Sequence, residues 1–204
     1  MKLYCSTLSP FARKVRIAAS ELGLADQVEI VPIMVAPGKA NEQYASTLNP
    51  LRRVPTLTLA DGSSLSDSSV ICEYLDSLVP TGGLFPRSGD QRWAVLTTHS
   101  IANGLMELSV QLRYETVLRP EAARWPEWIA DHWDKINSGL AWYEQRGVPQ
   151  SGTMDIGRIA LACELGYLDF RFPDYAWRDQ YPGLAAWHAD IARRPSYRDT
   201  APQA

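Results

Sequence analysis

Apolar and polar positions follow two different rhythms along this chain. Up to about residue 80, short apolar runs of strand length alternate with stripes at helical spacing; beyond it only the helical period recurs. Leu3-Tyr4-Cys5 predicts a short strand. Ser9-Pro10 has the form of a helix N-cap followed by proline at the first helical position. Phe11, Val15, Ala18, Ala19 and Leu22 make the apolar stripe of that helix, and Gly23 stops it. Val28 to Val35 predicts a second strand, and the segment from Ala36 to Asn49 a loop with a weak helix. Val54-Pro55 opens a strand-like run from Thr56 to Leu59, and Asp61-Gly62 is a two-residue hairpin signal. A second short strand ends at Ser66. Asp67-Ser68 then starts a helix whose stripe is Val70, Ile71, Tyr74, Leu75 and Leu78. The order β-α-β-α-β-β-α describes a small α/β layer.

Pro80-Thr81-Gly82-Gly83 interrupts the pattern, and the remainder predicts helices alone. The first runs from Asp90 to about Leu118, with Trp93, Leu96, Ile101, Leu105, Leu108 and Leu112 facing inward. Another starts at Pro126, carries Ile129, Trp133, Ile136, Leu140 and Tyr143, and closes at Gly147. A third, from Asp155 through Ile159, Cys163 and Tyr167, is almost entirely apolar and is expected to be central. A last helix carries Leu184, Trp187 and Ile191 ahead of Pro195. Two domains follow: residues 1–80, and an all-helical one over 87–204.

Composition narrows the function classes more than it identifies one. A net charge of −3 over 204 residues gives no reason to expect a nucleic acid or an anionic membrane as partner. No apolar run reaches the length of a membrane span, and the first residues lead directly into a predicted strand without a signal-peptide core. Cys5, Cys72 and Cys163 are odd in number and widely spaced, which fits a reducing cytoplasm and no structural zinc. His99, His132 and His188 lack ligand spacing and are expected to be solvated or at the core edge. The seven tryptophans are expected in the core and in pocket walls.

The chemistry concentrates between Asn49 and Leu75. A proline at the head of a strand cannot donate to the ladder. If the Val54–Pro55 bond is cis, the chain turns sharply and leaves the Val54 N–H and C=O free to pair with an extended peptide, as an added strand would. Beyond the hairpin, the next helix N-terminus offers free amides and positive potential to a carboxylate. Ser68 adds a hydroxyl donor there, and Asp67 an acceptor for an ammonium. A zwitterionic head at one end and a backbone clamp in the middle describe a site for a small peptide. Each residue has a plainer role too: Ser9 and Asp67 as helix caps, Arg53 beside Arg52 as surface charge.

S-P-F-A-R-K-V-R (Ser9 to Arg16), N-P-L-R-R-V-P-T-L (Asn49 to Leu57) and D-S-S-V-I-C-E-Y-L (Asp67 to Leu75) occur in the order and spacing of the cytosolic glutathione transferases. L-A-C-E-L-G-Y-L-D-F-R-F (Leu161 to Phe172), with Tyr181-Pro182 and Arg194-Pro195, resembles a bacterial branch of that family. The resemblance covers essentially the whole chain. It implies a thioredoxin-like α/β domain followed by an all-α domain, with glutathione as co-substrate and no metal. Carried over residue by residue, it implies a cis Val54–Pro55 bond whose valine backbone pairs with the cysteinyl part of glutathione. Asp67 and Ser68 would hold the γ-glutamyl head and Arg53 the glycyl carboxylate. Ser9 would face the thiol, with Ser6 and Thr7 as rival hydroxyls. One departure is visible: the family's Ser/Thr-x-x-Asp box at the start of its central helix is Asp155-Ile156-Gly157-Arg158 here, where Asp155 can still cap.

The resemblance therefore implies a cytoplasmic, detoxifying transferase that passes the glutathione thiolate to a small apolar electrophile. Phe11, Ile101, Leu105, Arg113 and the tail after Pro195 would wall its pocket, and a second copy would complete a homodimer. A glutathione-dependent isomerase, dehalogenase or peroxidase is the alternative on the same scaffold. A non-catalytic interaction module is the reading from another class.

Overall fold

The computed structural model describes residues 1–38, 41–80, 83–148 and 154–202; the expected break at Thr81-Gly82 lies outside them. The first part follows the order read from the sequence: β1 (Lys2–Cys5), α1 (Pro10–Glu21), β2 (Glu29–Pro32), α2 (Glu42–Thr47), β3 (Thr56–Thr58), β4 (Ser64–Leu65) and α3 (Ser68–Ser77). The strands form one mixed sheet in the order β2-β1-β3-β4. β1 pairs parallel to β2 and antiparallel to β3, and β3 pairs antiparallel to β4. Parallel neighbours need a crossover, and α1 supplies it. Leu3 aligns with Ile30 on one side and Leu57 on the other, and Leu3 and Leu57 are both buried.

The second part is helical: α4 (Gly89–Arg113), α5 (Pro126–Arg146), α6 (Ile156–Arg171), α7 (Trp177–Gln180), α8 (Pro182–Ile191) and α9 (Pro195–Arg198). A π-helical turn, Tyr114–Leu118, extends α4 to the predicted end at Leu118. α6 is the central rod: every residue from Ile159 to Leu168 is buried. Asp155 caps it, Oδ1 accepting the Arg158 amide at 2.9 Å. The arginine that replaces the usual second carboxylate turns back to its cap as an ion pair at 3.4 Å. Gly157 and Gly166 let neighbours approach α6 closely. A Cβ at the first would collide with Thr98 of α4, and at the second with Tyr197 and Arg13.

That close approach corrects the predicted stripe of α4. Leu105 and Leu112 are buried as predicted, together with Val95, His99, Ala102, Met106 and Ser109, while Leu96, Ile101 and Leu108 are only partly buried and Trp93 is 66% exposed. Helices packed tightly select small residues at the contact, and Ala102 and Ser109 supply them on the buried face. On α3, likewise, Ile71, Cys72 and Leu75 are buried, whereas Val70 and Leu78 are 47% and 42% exposed. The histidines are a further correction: all three are buried. Burial lowers His99 to about 3 and His188 to about 4, so both are neutral in the folded protein.

The chain's end returns to its beginning. Arg13 of α1 lies under the Tyr197 ring, 3.8 Å from its centroid, and donates to the Tyr197 carbonyl at 2.9 Å. Glu21, at the other end of α1, accepts from Arg194 at 3.0 and 2.6 Å and from Ser196. These bonds draw the tail after Pro195 against α1.

Candidate functional site

A cleft of about 1370 Å³ opens between the C-terminal edge of the sheet and the ends of α4 and α6. Three segments of the first part converge on it. The first is the β1–α1 turn. Ser9 is the N-cap of α1, and its Oγ accepts the Ala12 amide at 3.3 Å. Pro10 fills the first helical position, where a missing N–H costs nothing. Accepting through oxygen leaves the Ser9 proton available as a donor into the cleft. Ser6 and Thr7 also line it, with the Ser6 hydroxyl accepting the Leu8 amide at 3.3 Å.

The second segment is the loop into β3, where the Val54–Pro55 bond is cis. A buried polar clamp holds the residue before Val54. The Arg53 carbonyl accepts from Tyr44 Oη at 2.7 Å and from Asn49 Nδ2 at 3.1 Å. The Thr56 hydroxyl bonds the same two side chains at 2.7 and 3.1 Å. Sequence reasoning missed Tyr44, Asn49 and Thr56 as site-building residues. The Asn49-to-Thr56 spacing across Val54-Pro55 was the signal available, because a loop that must stay open to a ligand needs its other carbonyls satisfied internally.

The third segment is the start of α3, entered through a cis Ser66–Asp67 bond. Asp67 caps it, its Oδ1 accepting from the Ser69 and Val70 amides at 2.8 and 3.3 Å. Its other oxygen takes part in neither bond, and Asp67 is exposed at the cleft while Ser68 beside it is buried. Beneath this helix end lies Lys14 of α1, fully buried. Its Nζ reaches Asn103 Oδ1 at 2.8 Å, His99 Nε2 at 3.0 Å and Ser69 Oγ at 3.4 Å. Burial lowers the Lys14 ammonium from its ordinary range, and Asp67 is among the groups opposing that shift. Lys14 thus ties the helix that carries Ser9 to the helix that carries Asp67, with α4 as the third anchor.

The facing wall comes from the helical part. Phe11 and Arg113 line the cleft as expected from the sequence. Ile101 and Leu105 do not: Leu105 is buried against α5, where it would meet a Cβ on Gly139, and Ile101 packs on the hydrophobic core. The cleft face of α4 begins at Glu107, about 200° around the helix from Leu105, and continues through Val110, Gln111 and Arg113 to Tyr114 and Leu118. Tyr167 and Arg171 of α6 complete it. Burial raises both phenols, Tyr167 to about 12, against the opposing pull of Arg171 on each. No tryptophan lines the cleft among the described residues, and the tail after Pro195 is held on α1 instead.

With this geometry in hand, the comparisons with known proteins are specific. Residues 8–78 match the family "Glutathione S-transferase, N-terminal domain", and residues 126–190 match "Glutathione S-transferase, C-terminal domain". The chain is 30% identical to the GST-like protein YibF of Escherichia coli (strain K12), over 99% of this chain and 98% of that one. Among solved structures it is similar to a glutathione transferase family member from Pseudomonas fluorescens Pf-5 with bound glutathione. The identity is 38%, with 100% and 99% of the two chains covered and a TM-score of 0.96. A second structure from that organism, with bound S-(propanoic acid)-glutathione, has the same identity, full coverage of both chains and a TM-score of 0.92.

Proposed function

We infer the function from one premise: the chain belongs to the glutathione S-transferase family. In this reading it is a glutathione transferase in which Ser9 stabilises the glutathione thiolate and a small electrophile meets the sulfur against the α4–α6 wall. One observation carries it. Ser9, Arg53, Val54, Pro55, Asp67 and Ser68, spread over sixty residues of sequence, line a single cleft together with Phe11 and Arg113. The order of contacts follows from chemistry. The Val54 backbone pairs with the cysteinyl unit, Arg53 meets the glycyl carboxylate, and the α3 amides with Ser68 take the γ-glutamyl carboxylate. The Asp67 oxygen outside the cap takes the ammonium. The thiol then lies at the α1 N-terminus. The sulfur nucleophile belongs to glutathione, so the protein's own work is orientation and control of the thiol pKa.

Asp67→Asn separates capping from ligand binding. Asparagine keeps the cap oxygen and loses only the charge, so thermal stability should change little. Glutathione affinity measured by titration calorimetry should fall by about tenfold or more, the worth of a hydrogen bond to a charged group. A deaminated analogue lacking the α-ammonium should lose far less. Equal losses for both ligands would leave Asp67 as a helix cap alone.

A cytoplasmic homodimer belongs to the same reading. Val70 and Leu78 of α3 and Trp93 of α4 are exposed apolar side chains on adjacent helices, which the Arg92–Glu73 pair at 3.1 Å joins. Covering them with a second copy would remove that apolar surface from water. Sedimentation at micromolar protein should give a species of twice the chain's mass. A monomer there would remove this element.

A further inference from the structure

We propose that the acceptor half of the cleft selects electrophiles that carry a carboxylate. The inference rests on the transferase reading and names the class of its second substrate.

Charge distribution is the first observation. Among the described residues, Arg52, Arg53, Arg113 and Arg171 line the cleft against only Asp67 and Glu107. Glutathione engages the groups on the sheet side, Arg53 and Asp67. Glu107 lies on the same α4 wall, six residues or about 9 Å along the helix axis from Arg113. Arg113 and Arg171 remain, at the ends of α4 and α6, on the wall where the second substrate lies. Among the described residues neither has a carboxylate partner.

The second observation is an unsatisfied donor. Arg171 Nε is buried without a hydrogen-bond partner. Its guanidinium carbon lies over the Phe170 ring, 4.2 Å from the centroid. A buried donor with nothing to donate to destabilises the free protein, and a ligand oxygen that reached it would relieve the cost. Arg171 occupies the last turn of α6, where carbonyl ends keep the cation favoured. Arg113, Tyr114, Tyr167 and Arg171 line one wall of the cleft. Around it are the apolar surfaces of Phe11, Tyr114 and Leu118. An apolar body with one carboxylate end matches such a wall, and guanidinium is the side chain suited to bind it through two parallel hydrogen bonds.

3-Benzoylacrylic acid tests this against its methyl ester, since the ketone activates both. In each, the thiolate sulfur bonds to the alkene carbon beside the carboxyl group. The π pair moves toward the ketone oxygen, and a proton from water is added at the carbon beside the ketone. Measured as kcat/KM divided by the uncatalysed rate constant, the acid should exceed the ester by about tenfold or more, the effect of one charge-assisted hydrogen bond. Arg171→Gln and Arg113→Gln should each bring that ratio toward one. Independently of turnover, S-(2-carboxyethyl)glutathione should bind more tightly than S-(2-carbamoylethyl)glutathione in the parent enzyme, and the gap should close in both variants. Equal handling of acid and ester, or a preference that survives both substitutions, overturns the carboxylate assignment and leaves the transferase standing. If neither compound is turned over, the two conjugates decide the assignment by affinity. Failure to bind glutathione or either conjugate overturns both readings.

Discussion

Replacing Glu164 by Gln should stabilise the protein by an amount that grows with pH. Glu164 sits in the middle of α6, fully buried, with Oε1 accepting the Ser109 hydroxyl at 2.6 Å and Oε2 unpartnered. Burial raises its pKa from 4.5 to about 8, only partly opposed by the Ser109 bond. The sign follows from linkage. Below about pH 4.5 the carboxyl is protonated in both folded and unfolded chains and has no differential effect. Between that value and about 8, the unfolded chain loses the proton and the folded one keeps it, so stability falls as pH rises. Above about 8 the loss is complete, at roughly 4–5 kcal/mol for a shift of this size. Glutamine preserves the acceptor for Ser109, leaves an equally unpartnered group at the other position, and does not ionise. The variant should therefore match the parent near pH 4 and exceed it by about 3 kcal/mol at pH 7. His99 and His188 act at the other end. They are depressed from 6.5 to about 3 and about 4, and their contribution is present above pH 6.5 and lost as pH falls through those values. They do so equally in both proteins. Urea midpoints of parent and variant at pH 4, 7 and 8.5 measure the difference; a gap that does not change with pH would mean that Glu164 does not titrate in this range.

The sequence disclosed the site better than its walls. The residues proposed to grip glutathione are fixed by backbone needs: a proline before a strand, a cap before a helix, a turn at Asp61-Gly62. Such needs leave local marks, and Ser9, Pro55, Asp67 and Asp155 stand where those marks predict. The element order was legible for the same reason, since Gly23 and Gly147 stop helices at positive φ. Which side of a helix faces what is a tertiary matter. Trp93 and Ile101 share the helical period with true core positions such as Leu105. Only the close contact of α4 with α6, made possible by Gly157, decides that Thr98 and Ala102 face inward and Trp93 does not. The polar interior was equally hidden. Lys14 lies in a helix of ordinary composition, and its burial among His99, Asn103 and Ser69 depends on three elements meeting. The short helices α7 and α9 were missed because four residues are too few to show a period.

Ser9→Ala should raise the pKa of bound glutathione's thiol and reduce turnover by about one to two orders of magnitude, the worth of one charge-assisted hydrogen bond. A free thiol titrates near 8.5, and lowering it by two units takes about 2.7 kcal/mol. A hydroxyl donating to the thiolate supplies roughly 1.5–3 kcal/mol, and the α1 N-terminus beside it about 0.3–2. The two together suffice without a metal or a charged base. Because Ser9 also caps α1, alanine carries a stability loss of about 1 kcal/mol that has to be told apart from the effect on the thiol. Ser9→Asp does this. Aspartate retains a cap oxygen for the Ala12 amide, has no proton to donate at neutral pH, and sets a negative charge beside the sulfur. If Ser9 acts on the thiol, the aspartate variant keeps its stability and has a thiol pKa above even that of the alanine variant. If Ser9 is only a cap, the thiol of the alanine variant titrates as in the parent, and the aspartate variant shows the added charge alone. Ser9→Cys differs in kind: a thiolate there attacks a disulfide and forms a mixed disulfide with glutathione, an exchange closed to a hydroxyl. Thiolate absorbance of the binary complex against pH, for parent and the alanine and aspartate variants, separates these cases. An unchanged titration in the alanine variant would transfer the role to Thr7, Ser6 or the Phe11 amide, whose place in the first turn leaves it without an intrahelical partner.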